Sequence, residues 1–386
     1  MSQFKFIPSL TPLRGIAAML VVIFHFHVLI GPLTSPDIYV VSKFYLMVDL
    51  FFVLSGFIIL HVYGNLFTQQ IEKAEFWKFI KARFARIYPL HLFTFLYLLG
   101  WVLYMKSQID FEATPPVVQG ILDDSAIPFV LTMTHAWGFH MEATWNAASW
   151  SISVEWFLYL LFPFLAWLLY KSNTLVKVLL GVIALAALFL ISQVLEPVWV
   201  EEMNTRREST AQQLLYKPPN TIDILTGFAL LRGWCGFILG MLAYELYKRE
   251  IGQSILKSSY WFVAIWVAIL ALWYKDWLPD PLAIPVFALL ILHTAYAEGV
   301  VSKILNGKVF TYLGNISYSI YMIHIPILLT LFILSLLQGS MPPPPEEINY
   351  LNNWIGAFVF LLIIILLASL TYRFIEKPAR NKLKNL

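Results

Sequence analysis

The sequence predicts an all-α, polytopic membrane protein with about ten transmembrane helices and one short re-entrant or interfacial segment. Three observations carry that reading. Of 386 residues, 59% are apolar and only 13% are charged, whereas an ordinary soluble domain carries about 25% charge. Mean hydropathy is +0.72 over the whole chain, which leaves little polar surface to face water. The apolar residues also gather into stretches of about 20, the length that crosses a bilayer as a helix. This composition excludes a soluble enzyme, a disordered scaffold and a secreted disulfide module, and makes the lipid bilayer the expected surroundings. A net charge of +3 is too small to draw nucleic acid. Cys235 is the only cysteine, so no intrachain disulfide and no Cys/His metal spacing exist, and no metal is expected.

The spans fall near residues 11–30, 44–63, 87–105, 153–170, 175–195, 224–247, 258–274, 279–297, 309–337 and 353–372. The first could pass for a signal peptide, but Gly31-Pro32-Leu33-Thr34 is a poor small-residue cleavage site, so it is read as a retained span. The ninth is long and carries Pro326, which predicts a kink or tilt. Ile127 to Phe139 is apolar but too short to cross, hence the re-entrant or interfacial segment. With the N-terminus inside, 19 of the 26 Lys and Arg fall in inside segments and 6 outside. Counting 127–139 as a crossing flips every later loop and destroys that asymmetry. Both termini are therefore expected in the cytoplasm. No segment is long enough for an attached soluble domain, so 1–386 reads as a single transmembrane domain. No internal repeat is visible, which counts against an inverted-repeat transporter.

An ionisable side chain at membrane depth costs about 2.5–3.5 kcal/mol on the insertion scale, so each one is a functional candidate. These are His25, His27, Asp49, His61, His91, Glu155, Arg232, His293 and His324. Arg14 and His25 share the first span. Eleven residues turn an ideal helix by about 1100°, which puts both on one face, about 16 Å apart. A polar stripe leading in from a cationic entrance suits an anionic ligand. The plainer alternative is a lipid anchor at Arg14 and an interhelical hydrogen bond at His25. His27 points roughly 200° away and reads as structural. Asp49 needs a partner. His25 is the nearest candidate in topology, and a carboxylate there would fix the ring tautomer and raise its basicity, as a general base requires. A structural pair with Arg232 is the alternative. Arg83 and Arg86 lie at i, i+3 on one face, at the cytoplasmic start of the third span. Their forks suit phosphate, although basic helices that merely hug a membrane are common. Glu155 opens the fourth span from outside, beside an aromatic belt. Ser317, Tyr321 and His324 lie at i, i+4 and i+7 on a face too polar for lipid, which must look inward.

Six stretches then carry a resemblance. They are Leu13-Arg14-Gly15-Ile16-Ala17-Ala18 with His25; Val48-Asp49-Leu50-Phe51-Phe52-Val53-Leu54-Ser55-Gly56-Phe57; Arg83-x-x-Arg86-Ile87-Tyr88-Pro89; Ser149-Trp150-Ser151-Ile152-Ser153-Val154-Glu155-Trp156-Phe157; Tyr312-Leu313-Gly314-Asn315-Ile316-Ser317 running on to His324; and Phe374-Ile375-Glu376-Lys377-Pro378. In this order, from residue 12 to 380, the chain resembles the integral-membrane acyltransferase-3 family. That family O-acylates cell-envelope or exported carbohydrates, and sometimes antibiotics, with acyl-CoA from the cytoplasm. The resemblance implies that His25 is the catalytic histidine and that Arg83 and Arg86 serve the acyl donor. It places the protein in a plasma membrane, the inner membrane of a bacterium. Some members carry an additional esterase-like domain. The sequence ends at Leu386 without one, so the stand-alone form is expected, with a separate partner protein as a candidate to complete transfer.

Residues and resemblance combine into one expected mechanism. Acyl-CoA, with acetyl-CoA foremost, is a donor substrate and not a tightly bound cofactor. Its phosphates meet Arg83 and Arg86, with Arg14 nearby, and its thioester reaches His25. His25 deprotonates an acceptor hydroxyl or carries the acyl group itself, and Asp49 orients it. Trp150, Ser153, Glu155, Tyr321 and His324 form the acceptor side or pocket, with Trp145, Trp150 and Trp156 placed to stack on a sugar. Two other readings share these features. One is a transporter or flippase of an anionic or lipid-linked glycan, whose path would use the same buried charges. The other is an acyl-CoA enzyme with a small-molecule acceptor.

Overall fold

The computed structural model describes residues 7–111, 114, 116–140, 142–206, 221–338 and 349–384. Its bundle consists of α1 (Leu10–Leu29), α2 (Met47–Tyr63), α3 (Lys73–Gln108), α4 (Trp150–Lys171), α5 (Thr174–Leu190), α6 (Ala229–Lys248), α7 (Tyr260–Tyr274), α8 (Asp280–Tyr296), α9 (Ser317–Leu337) and α10 (Tyr350–Thr371). Helices suit lipid because each satisfies its own backbone hydrogen bonds. Eight of these lie in segments long and apolar enough to cross a membrane. The exceptions, α7 and α8, are apolar but have only 15 and 17 residues. Large apolar side chains face outward on α5 (Val178, Val182, Ile183), α7 (Val263, Val267) and α10 (Phe358, Leu362, Leu366). An apolar surface of that extent marks contact with membrane and not with water. The protein is a multi-pass, all-α membrane protein.

Three segments refine the boundaries expected from sequence. The basic stretch from Lys73 and the third span form one continuous helix of 36 residues, which runs through Pro89. The expected ninth span is two helices, Lys308–Asn315 and α9, with the break at Ile316. Close packing against α1 accompanies that break: a Cβ on Gly314 would lie 2.2 Å from the Thr11 carbonyl oxygen, and one on Gly15 would lie 2.7 Å from the Gly314 nitrogen. The apolar run at 127–139 does not cross. It makes a five-residue helix, Ile127–Leu131, and then irregular chain that tucks back against the bundle. Met133 and Trp145 take left-handed backbone there, at φ 56° and 57°.

On the predicted outer side, loops are tied by buried charge. Lys43 is 1% exposed and reaches Asp276 at 2.6 Å and Asp280 at 2.8 Å; Tyr45 also donates to Asp280. His27 is structural as expected, since its Nδ1 accepts from the Leu33 N–H at 2.8 Å.

The tightest seam joins α2 to α6. A Cβ on Gly56 would lie 2.0 Å from the Phe237 carbonyl oxygen, and one on Gly240 would lie 1.9 Å from that of Val53. Lipid offers no hydrophobic drive between helices, so close backbone approach at small residues supplies the packing. Gly240→Ala must therefore push the helices apart. Overpacking of this kind costs about 1–3 kcal/mol or more. Thermal unfolding in detergent, followed by tryptophan fluorescence, should show a clear drop for Gly240→Ala. Gly100→Ala, with nothing within 4 Å of its new Cβ, should melt like the parent.

Candidate active site

A cavity of about 100 Å³ opens between α1, α2, α3, α4 and α9, room for several waters. It follows α2 from Val48 to Ile59, about 16 Å at 1.5 Å per residue. Its lining is layered. At one end are Arg14, Arg83 and Arg86 with Tyr159 and Tyr318; in the middle are Ser55 and Glu155; at the other end are Phe51, Ser151 and Tyr321.

The three arginines sit together, as sequence reasoning expected, but they are not equivalent. Arg86 forms a salt bridge with Glu376 and lies 5.3 Å from the centre of the Tyr318 ring. Glu376 is 1% exposed, and its second oxygen accepts from the Ser319 hydroxyl at 2.7 Å, so this guanidinium is already neutralised. Arg83 donates from Nη2 to the Tyr63 hydroxyl at 2.7 Å and lies over that ring at 4.8 Å. Its Nε is buried without a hydrogen-bond partner among the described residues. Arg14 lines the same space. The end of the cavity therefore offers guanidinium donors to an anion, in the fork geometry that suits phosphate.

Glu155 accepts from the Ser55 hydroxyl at 2.9 Å. It faces the same cavity as the arginines, not a separate outer mouth, because it lies more than a turn inside α4. Tyr321 closes the far end. Its hydroxyl donates to the Ala148 carbonyl at 2.8 Å and meets Ser151 Oγ at 2.7 Å. One turn further along α9, His324 is fully buried, and its Nε2 is 3.1 Å from Nδ1 of His25. The rings are 4.8 Å apart at 54°. His25 does not itself line the cavity; it stands just beyond Tyr321.

Several sequence expectations are corrected. Asp49 does not pair with His25. Its two oxygens accept from Arg232 Nε at 2.9 Å and Nη2 at 2.7 Å, with both residues at most 1% exposed. Arg232 Nη1 reaches Asp223 at 3.2 Å. A guanidinium fork outcompetes an imidazole for a buried carboxylate because it is always charged and bidentate. Trp150 does not offer a sugar platform: its ring covers Arg232 at 4.9 Å. Ser153 is fully buried and accepts from the Ala136 N–H at 3.1 Å, which ties the chain at Ala136 to α4. Trp145 is also fully buried and donates to the Asp123 carbonyl at 2.9 Å. Trp156 packs edge-on against Phe84. His91 and His293 each bond to a backbone carbonyl, of Val130 and Leu256, at 2.8 and 2.6 Å. Sequence reasoning assigned no role to Ser55, Tyr63, Tyr159 or Glu376, although Ser55 and Glu376 lie in the motif stretches. Glu376 did leave a signal, as the one acid in an otherwise basic tail from Arg373. Among the described residues no three His, Cys, Asp or Glu side chains gather as a metal site.

Comparison with known proteins agrees with this architecture. The acyltransferase-domain family model (acyltransferase 3) matches residues 7–373. The peptidoglycan O-acetyltransferase OatA of Listeria monocytogenes is 22% identical over 98% of this chain and 56% of its own length. The O-acetyltransferase OatA of Staphylococcus aureus is 24% identical over 98% of this chain and 58% of its own. The chain thus spans little more than half the length of these curated relatives. No solved structure matches it.

The Asp49–Arg232 geometry makes a prediction about stability. Breaking a buried pair from one side costs about 3–5 kcal/mol, whereas replacing both partners with apolar groups is often neutral. Asp49→Leu alone should lower the melting temperature and the membrane yield. The double variant Asp49→Leu, Arg232→Met should regain much of the loss. A double variant as unstable as the sum of the singles would refute the pairing.

Proposed function

The chain belongs to the acyltransferase family whose model matches residues 7–373, and from that premise we propose that it is a membrane O-acetyltransferase that moves an acetyl group from acyl-CoA at the cytoplasmic face to a hydroxyl of a cell-envelope carbohydrate. Peptidoglycan is the foremost acceptor, being the substrate in the name of the Listeria relative. The observation that carries this reading is the layered cavity, with guanidinium groups at one end and a histidine pair just past the other. An acyl-CoA has the same polarity: anionic phosphates, a narrow arm and a reactive thioester at the tip. The spacing of about 16 Å along α1 from Arg14 to His25 matches such an extended donor.

In this reading the CoA phosphates meet Arg14 and the free donors of Arg83. Arg86, neutralised by Glu376, lines that end and adds little net charge. The thioester passes the Ser151–Tyr321 layer to reach His25 beyond it. The bare nitrogen of His25 takes the proton of the acceptor hydroxyl, the hydroxyl oxygen attacks the thioester carbon, and the carbon–sulfur bond breaks. The CoA thiolate leaves and takes up the proton. If His25 carries the acyl group instead, acid quenching will trap an acyl-enzyme. The Lys and Arg asymmetry supports a cytoplasmic donor side with both termini inside a bacterial inner membrane.

The test is purified protein in nanodiscs with labelled acetyl-CoA and a glycan acceptor. Losing a charge-assisted hydrogen bond costs about 1.5–3 kcal/mol, so Arg83→Ala should raise the donor KM about ten- to a hundredfold. Arg83→Lys should rescue only part of this, because the planar fork is gone. Arg86→Ala should act chiefly on stability, since it strands Glu376. An unchanged donor KM in Arg83→Ala would place the CoA elsewhere.

His25→Ala should cut turnover by at least the roughly 10²–10⁴-fold that general base catalysis supplies, with normal expression and melting. Near-normal turnover in that variant would remove His25 from the transfer step.

A further inference from the structure

We infer that His324 is a positioning residue that fixes the tautomer of His25, so that the Nε2 lone pair of His25 is the one presented to substrate. The inference rests on the reading of His25 as the transfer group and adds the residue that sets its ring.

The argument is a count of hydrogens. His324 Nδ1 lies 2.5 Å from the Tyr321 carbonyl oxygen. A carbonyl can only accept, so Nδ1 of His324 carries a hydrogen. His324 is fully buried, and among the described residues no carboxylate is recorded in hydrogen-bond contact with it. A charged ring there would be costly, so the ring is neutral and its Nε2 is a bare acceptor. That acceptor lies 3.1 Å from His25 Nδ1, and the Val21 carbonyl oxygen lies 3.0 Å from the same atom. Both neighbours of His25 Nδ1 are acceptors, so Nδ1 carries the hydrogen and shares it in a three-centre bond. A neutral imidazole has one N–H, which leaves Nε2 of His25 with the lone pair.

The Val21 carbonyl alone would hold the ring only loosely, because it is the normal i−4 acceptor of the His25 backbone N–H. His324 supplies an acceptor with no competing helix bond. The two rings also restrain each other's planes, and Phe24 packs edge-on against His25 at 4.9 Å and 72°. When Nε2 takes up a proton, the Nδ1–H becomes a stronger donor, and its bond to His324 becomes charge-assisted. In the familiar triad arrangement a carboxylate performs this task. Here Asp49 is committed to Arg232, and a neutral imidazole stands in the carboxylate's place.

The experiment reads the tautomer directly and then its consequence. Protein labelled with ¹⁵N-histidine in nanodiscs should show His25 protonated at Nδ1, with the signals assigned by their absence in His25→Ala and His324→Leu. His324→Leu should shift His25 towards a mixed tautomer. His324→Gln, whose amide oxygen can accept the same hydrogen, should keep it. With acetyl-CoA as donor, His324→Leu should lower kcat about ten- to a hundredfold, the worth of one charge-assisted bond, with donor KM unchanged, and His324→Gln should recover several-fold. A role confined to packing would lower yield and melting in both variants alike and leave kcat per folded molecule intact, which would overturn the inference. So would a wild-type His25 protonated at Nε2. A wild-type protein that moves no acetyl group defeats the functional reading instead, and the ¹⁵N spectrum still decides the tautomer.

Discussion

A guanidinium sealed among membrane helices must find an acceptor for each arm of its fork, and the way Arg232 finds them sets the geometry of the bundle. Asp49 comes from α2, Asp223 and the Ile224 carbonyl from the chain before α6, and the rings of Trp150 and Tyr45 pack against the guanidinium. One side chain on α6 thereby ties α2 to the start of α4. These two helices are opposite walls of the cavity, where Ser55 meets Glu155. Below the ion pair, Gly56 and Gly240 let α2 and α6 close to backbone contact. Polar pairing and steric fit act on the same seam, and the cavity inherits its width from both.

Within that frame the charges of the cavity are graded. Arg86 has an internal counter-ion, Arg83 has a phenol and a ring but, among the described residues, no acid, and Glu155 is held by a neutral hydroxyl. A site that neutralised every guanidinium internally would have nothing left for an anionic ligand; one that neutralised none would resist folding in a low-dielectric interior. The mixture satisfies both demands, because the neutralised arginine keeps the helix ends together while the others keep donors in reserve.

Much of this was legible in the sequence, and the part that was not has a common cause. Helical periodicity correctly put Arg14 on a face that lines the cavity and turned Ser317, Tyr321 and His324 inward. The length of the apolar run marked 127–139 as too short to cross. Periodicity fixes the face of a helix, but not the helix that the face meets. Topology puts His25 first for Asp49 because their helices are consecutive, with Arg232 as the alternative, and the structure takes the alternative, 183 residues away. Arg86 and Glu376 are 290 residues apart, and nothing local in the tail announces the pairing. Tryptophans were misread for a related reason. Near a span end they suit an interfacial belt, but Trp150 faces a buried cation and Trp145 occupies a left-handed turn, two environments that no composition rule distinguishes. The family resemblance brought the right segments into view and left their pairings to the three-dimensional structure.

The histidine contact has a consequence for biosynthesis. His25 and His324 are separated by 299 residues. At about 5–20 residues per second, the ribosome needs roughly 15–60 s to make the second after the first. Throughout that interval the first helix is already in the bilayer with its arginine and its histidine, while the helix that will complete them does not exist. The nascent chain therefore lacks the His25–His324 contact until almost its last helix has been inserted. A prematurely terminated chain would carry a membrane-embedded imidazole with no partner ring and an arginine cluster without Glu376.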